Sequence, residues 1–177
     1  AANFIAQLME AAGIDQAALI GHSWGSLIAM EAAAKLQDRI SHLVLVGTAS
    51  PMKVAPALLE SALNTPEKAI AMVNTFSRAT LSPPNGAGSW VFGAGMALGR
   101  RVLASNSDVN LLHAGFVACD NYVGGEAAMA AITAPVLFVL GEQDQMTPPK
   151  AAKGLIEAAK AAGKQVAANK VTAAKPA

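Results

Sequence analysis

The chain has 177 residues, enough for one compact core. With 53% hydrophobic and 14% charged residues it is no disordered chain, and a net charge of +1 gives no electrostatic reason to bind nucleic acid or an anionic membrane. The single cysteine, Cys119, permits no internal disulfide, and the expected location is cytoplasmic.

The first element is a helix over residues 2–12, where Phe4 stands over Leu8 and Ile5 over Met9 at the i,i+4 spacing of one face. Gly13 is its stop. Residues 16–20 form a short apolar run before a glycine, the pattern of a buried strand. Helical spacing resumes over 24–36 and breaks at Gln37-Asp38-Arg39. His42 to Val46 is a second strand, closed by Gly47. Helix, strand, helix and strand within fifty residues point to an α/β fold with a parallel sheet.

From Pro51 to about residue 130 no strand pattern is found. Prolines (Pro56, Pro66, Pro83-Pro84) and a glycine cluster (Gly86, Gly88, Gly93, Gly95, Gly99) divide helical pieces. The segment reads as a mainly helical insertion, with Gly93 to Gly99 as a flexible loop. A sheet pattern returns at residues 134–140. A helix is expected next, with Thr147 as N-cap and Pro148 at its first position, running to about Ala162. The lysine- and alanine-rich stretch that follows, 164–177 in the domain division, is expected to be a frayed tail. The expected division is thus 1–50, 51–130, 131–163 and 164–177. The longest bulky apolar runs, His42–Val46 and Val136–Leu140, are far shorter than the roughly 20 residues that span a bilayer.

The pentapeptide Gly21-His22-Ser23-Trp24-Gly25 carries the chemistry. A Gly-x-Ser-x-Gly run makes chemical sense at a sharp strand-to-helix turn, where the serine takes a strained conformation that exposes its hydroxyl. Side chains at Gly21 or Gly25 are expected to collide with the neighbouring strand and helix. The helix that starts here aims its first N–H groups at a developing oxyanion, with the Trp24 N–H as one donor.

Gly21 to Ser26 resembles the nucleophile elbow of the α/β-hydrolase superfamily. Val136 to Pro149 is similar to that family's later strand and acid loop. The resemblance implies a serine hydrolase that cleaves an ester or similar acyl bond through an acyl-enzyme on Ser23, without a cofactor. It implies Asp144 as the triad acid, with Glu142 as the competing carboxylate, and makes the insertion a cap domain. The family's histidine follows the acid after one more helix and strand, yet His22, His42 and His113 all precede Asp144. Two readings follow: a partial chain of a longer enzyme, or a hydrolase-like module that has lost catalysis and binds instead.

His22 is expected to pack at the sheet edge or in the core, His42 to pack or meet solvent, and His113 to pack beside Leu111 and Leu112. The Ser-Trp-Gly-Ser version of the elbow also looks like that of proline iminopeptidases, which would call on Glu60, Glu67 and Glu126 to hold a free amine. Cys119 has no elbow around it and reads as inert. Arg100-Arg101 reads as a solvated face, while Trp24, Trp90, Phe92, Phe116 and the methionines read as core or as pocket lining. No His, Cys, Asp and Glu spacing suits a metal. The expected partner is a small-molecule acyl substrate, with no nucleic acid and no membrane.

Overall fold

The computed structural model describes residues 1–77 and 87–171. These fall into two compact units. The first comprises Ala1–Met52, Val123–Glu142 and the chain from Thr147 onward, and the second comprises Lys53–Tyr122 with Gln143–Met146.

The first unit is built on four parallel strands in spatial order β1-β2-β3-β4: β1 (Ala17–His22), β2 (Ile40–Val46), β3 (Val136–Gly141) and β4 (Val166–Val171). Parallel neighbours need crossovers, and helices supply them. Helix α1 (Ala2–Ala11) precedes β1, and α2 (Trp24–Leu36) joins β1 to β2. In α1 the Ile5–Met9 row turns inward, with Met9 buried, whereas Phe4 and Leu8 stay exposed. The end of α1 is a Schellman motif: Gly13, at φ +65°, donates to the Glu10 carbonyl and Ile14 donates to that of Met9. Helix α2 buries Leu27, Ala29, Met30, Ala32 and Ala33. Its small residues let it lie close on β1 and β2.

Helix α2 stops at Gln37, which is left-handed at φ +48° although it is not glycine. Its side-chain amide donates to the carbonyls of Ala34 and Ala131, which offsets the strain. Leu43, Leu45 and Phe138, all fully buried, form the centre of the core on β2 and β3. They alternate with half-exposed neighbours, the period of two that a pleated sheet dictates.

Three expectations need correction. The helix does not start at Thr147. Pro149 forces the residue before it, Pro148, into an extended conformation (φ −62°, ψ +148°), so only a 3₁₀ turn forms over Pro149–Ala152 before α8 (Lys153–Ala161). Within the stretch expected to fray, Val166–Val171 is strand β4, paired to β3 from Val136↔Val166 to Gly141↔Val171. Its side chains are almost all exposed. What orders it is backbone hydrogen bonding to the open edge of β3, extended by Val136 N–H to Gln165 O and Glu142 N–H to Val171 O. Lys164 and Lys170 sit on this edge strand or beside it, where charge discourages further pairing. Residues 172–177 lie outside the described ones.

The third correction is in the second unit. It contains α3 (Pro56–Asn64), α4 (Pro66–Phe76), α5 (Ala87–Ala104) and α6 (Leu111–Asp120), and no strand among the described residues. Gly93, Gly95 and Gly99 lie inside α5, not in a loop. A Cβ on Gly99 would stand 2.7 Å from Ile70 Cγ2 of α4, and one on Gly95 would meet the Asn74 side chain. The glycines let α5 approach α4 closely. Pro83-Pro84 and Gly86 lie outside the described residues, and so does the Trp90 side chain.

Leu58, Ala62 and Ala69 centre this unit's apolar cluster, with Val54, Met72, Val73, Leu112, Phe116 and Met146 against it. Phe116 is therefore core. Arg100 holds Glu67 with three hydrogen bonds of 2.9–3.0 Å on an exposed surface, and this pairing keeps the Glu67 carboxyl below its ordinary value. Helix α7 (Gly125–Ala131) is grouped with the sheet-bearing unit.

Phe138→Ala in the centre of β3 is expected to cost about 3–5 kcal/mol of stability, read from the urea unfolding midpoint.

Candidate active site

Ser23 is the residue between β1 and α2, and its backbone sits at φ +51°, ψ −125°. This region is costly for any residue with a Cβ and persists only where the surroundings hold it. Three hydrogen bonds do so. The Ser23 N–H donates to the carbonyl of Val46 at the end of β2 (2.9 Å). The Ser23 carbonyl accepts from the Ser26 N–H (2.8 Å) and from Ser26 Oγ (2.5 Å). Ser26 Oγ also pairs with Thr48 Oγ1 at 2.8 Å, and both side chains are fully buried. The Ser26 hydroxyl has one proton, which the carbonyl takes, so within the hydroxyl pair it is Thr48 that donates.

The two glycines of the pentapeptide differ. A Cβ on Gly21 would run into the Gly25 carbonyl oxygen and stand 2.7 Å from Ser26 Cα. A Cβ on Gly25 would meet nothing within 4 Å, which corrects the expectation of a collision there. Only Gly21 is demanded by the close approach of strand and helix. Trp24 opens α2 and is 43% exposed. Its N–H belongs to the first helical turn, where no intrahelical acceptor exists.

Asp144 lies in the loop after β3, in the stretch Gln143–Met146 that is grouped with the helical unit. Its Oδ1 accepts the Met146 N–H at 2.8 Å, a turn closed by an aspartate on its own backbone two residues on. Helix α8 begins only at Lys153 and has no side-chain cap, so Asp144 does not cap it. Asp144 is half-buried and Glu142 is exposed. β1 and β3 are parallel in one sheet with β2 between them, so both strands end at its C-terminal edge. They are two spacings apart, about 10 Å.

His22 and His42 are exposed, so His22 is not a core residue. His113, half-buried, donates its backbone N–H to Asn110, the N-cap of α6. Cys119 is buried in α6, and burial, with the Asp120 charge beside it, pushes its thiol up to about 11. The described residues hold no group of three His, Cys, Asp or Glu arranged for a metal ion. Among them no helix is long and apolar enough to cross a membrane. The Ser26–Thr48 pair escaped the sequence reading. Its signal, a small hydroxyl residue after the pentapeptide and another just past the β2 stop, is too common to stand out.

A parallel sheet with a strained serine at a strand-to-helix turn is the frame of the α/β-hydrolase fold, and this chain has that fold. Residues 1–83 match the family model described as alpha/beta hydrolase fold. Among solved structures the chain is similar to a thermophilic esterase (24% identity, TM-score 0.69), covering 97% of this chain and 63% of that one. It is similar also to an esterase from Exiguobacterium antarcticum (17%, TM-score 0.74; 96% and 63% covered) and to a bromoperoxidase from Bacillus anthracis (14%, TM-score 0.77; 97% and 64% covered). The chain thus spans less than two thirds of each of these structures. No curated protein matches it in sequence.

Gly21→Ala is expected to destabilise the protein by about 1–3 kcal/mol through overpacking. Gly25→Ala, inside a helix with open space, is expected to leave stability unchanged or raise it by about 0.5–1 kcal/mol. Chemical denaturation of the two variants side by side separates them. With its thiol pushed up to about 11, Cys119 stays almost wholly protonated at pH 8. Alkylation by iodoacetamide is therefore expected to be slow in the folded protein and to accelerate sharply in urea.

Proposed function

We propose that the protein is a serine hydrolase that cleaves an ester or similar acyl bond, with Ser23 as nucleophile. The observation that carries this reading is the left-handed backbone of Ser23 at the β1–α2 turn, a strained conformation that nothing in the packing of a plain turn requires. In the proposed reaction Ser23 Oγ attacks the acyl carbon and loses its proton to a base, and the carbonyl oxygen becomes an oxyanion facing the Trp24 N–H. The alcohol leaves with the proton, and water then attacks the acyl-enzyme to release the acid and restore Ser23.

Asp144 is assigned as the group that orients the base. The resemblance calls for a histidine after one more helix and strand, and α8 and β4 correspond to these. The six residues after β4, Thr172 to Ala177, contain none. The base is proposed to come from outside these 177 residues, in keeping with the chain's partial cover of its structural neighbours. The helical unit is proposed as the cap, and its low charge favours small apolar esters. Of the glutamates an aminopeptidase would use to hold a free amine, Glu67 is engaged by Arg100, which favours the esterase. Esterases are also among the solved structures that share the fold.

A reactive fluorophosphonate, incubated with the chain and with its Ser23→Ala variant, tests the proposal. Without a histidine after Asp144 among these 177 residues, labelling is expected to be slow, with a residual acceleration of about 10³–10⁴ over water. It is expected to fall to background in Ser23→Ala. Equal labelling of the two would refute Ser23 as nucleophile.

A further inference from the structure

The three hydrogen bonds at Ser23 act on two different peptide planes. The Ser23 N–H, bound to Val46 O, fixes the plane before the serine. The Ser23 carbonyl, bound to Ser26, fixes the plane after it, and that plane contains the Trp24 N–H. A trans peptide is planar, so its carbonyl and N–H point in opposite directions and turn together. Whatever holds the Ser23 carbonyl therefore aims the Trp24 N–H. The holder is Ser26, and a hydroxyl can rotate. Thr48 removes that freedom: its own proton occupies one side of Ser26 Oγ and leaves the Ser26 proton to the Ser23 carbonyl.

Thr48 follows Gly47, whose N–H donates to Val139 O of β3 at 2.9 Å, so the chain just before Thr48 is tied into the sheet. Both side chains are fully buried, so each hydroxyl depends on the other and on the backbone beside it.

We propose that Thr48 is a positioning residue: through Ser26 it orients the peptide between Ser23 and Trp24, and so aims the Trp24 N–H at the oxyanion. The proposal rests on the reading of Ser23 as nucleophile. Thr48 touches neither substrate nor the reacting atoms. Its effect falls on the transition-state charge and therefore on the rate of acylation, not on ground-state binding.

The test compares Thr48→Val, which keeps the shape and removes the hydroxyl, with Thr48→Ser, which keeps the hydroxyl and removes a methyl group. Three quantities are read on the 177-residue chain: the rate of Ser23 labelling by a fluorophosphonate, the urea midpoint, and the Trp24 backbone amide resonance. Phosphonylation develops negative charge on oxygen and so senses the donor's aim. Thr48→Val is expected to slow labelling about tenfold or more, the scale on which small misplacements act. Thr48→Ser is expected to restore it to within threefold, although both variants lower the urea midpoint. Equal labelling in the two variants, or labelling of Thr48→Val at the unsubstituted rate, overturns the proposal. If the unsubstituted chain shows no Ser23-dependent labelling, the nucleophile reading fails and the amide resonance decides for Thr48. A Trp24 resonance displaced in Thr48→Val and returned in Thr48→Ser supports the link, and an unmoved one overturns it. Should Thr48→Val not fold, Ser26→Ala breaks the same link and is read in the same way.

Discussion

The structure turns on one strained residue. Ser23 has to leave a strand and enter a helix within a single step, and only its left-handed backbone does this. The conformation is unfavourable by itself and is maintained by neighbours that also bind the sheet together: Val46 from β2, Ser26 from α2 and Thr48 from the β2 extension. Gly21 is the steric side of the same arrangement, since the helix backbone passes where its Cβ would be. The pairing of β1 with β2, the placement of α2 and the geometry of the elbow are one problem with one solution.

Much of this was legible in the residues. The strands β1, β2 and β3 are apolar runs that end at or beside a glycine, and α2 has an apolar face broken at a polar triplet, so their types and order follow from periodicity. The elbow was legible because its glycines and its serine sit between a strand pattern and a helix pattern. β4 was not, because Val166-Ala-Ala-Asn-Lys-Val171 shows no hydrophobic alternation. It is ordered by the backbone of its neighbour, which leaves no mark on the sequence. The glycines of α5 misled for a related reason. A glycine read alone signals a turn, but Gly95 and Gly99 answer to Asn74 and Ile70, some 20 to 30 residues earlier. The Thr48–Ser26 contact, 22 positions apart, is likewise a fact of the fold.

The two carboxylates that follow β3 show how far a motif goes without its surroundings. Glu142 and Asp144 were both open candidates, separated by one residue. Their surroundings differ: Glu142 is exposed, whereas Asp144 is half-buried and closes a turn on Met146, which packs in the apolar cluster around Leu58 and Ala62. A carboxylate held in a turn keeps its orientation, the property wanted of a group that must hold another side chain in place.

The order of the strands also bears on how the chain reaches its native state. β1 and β2 are linked by the single helix α2, and β3 and β4 by the short α8 segment. β2 and β3, which lie side by side at the centre of the sheet, are separated by roughly ninety residues, a loop whose closure is entropically expensive. The hydrogen bonds that hold Ser23 thus come from β1, α2 and β2 with the residue just past it, all close in sequence. Ser23 is held by its near neighbours in sequence, whereas β3 and the residues after it join the sheet across the long connection.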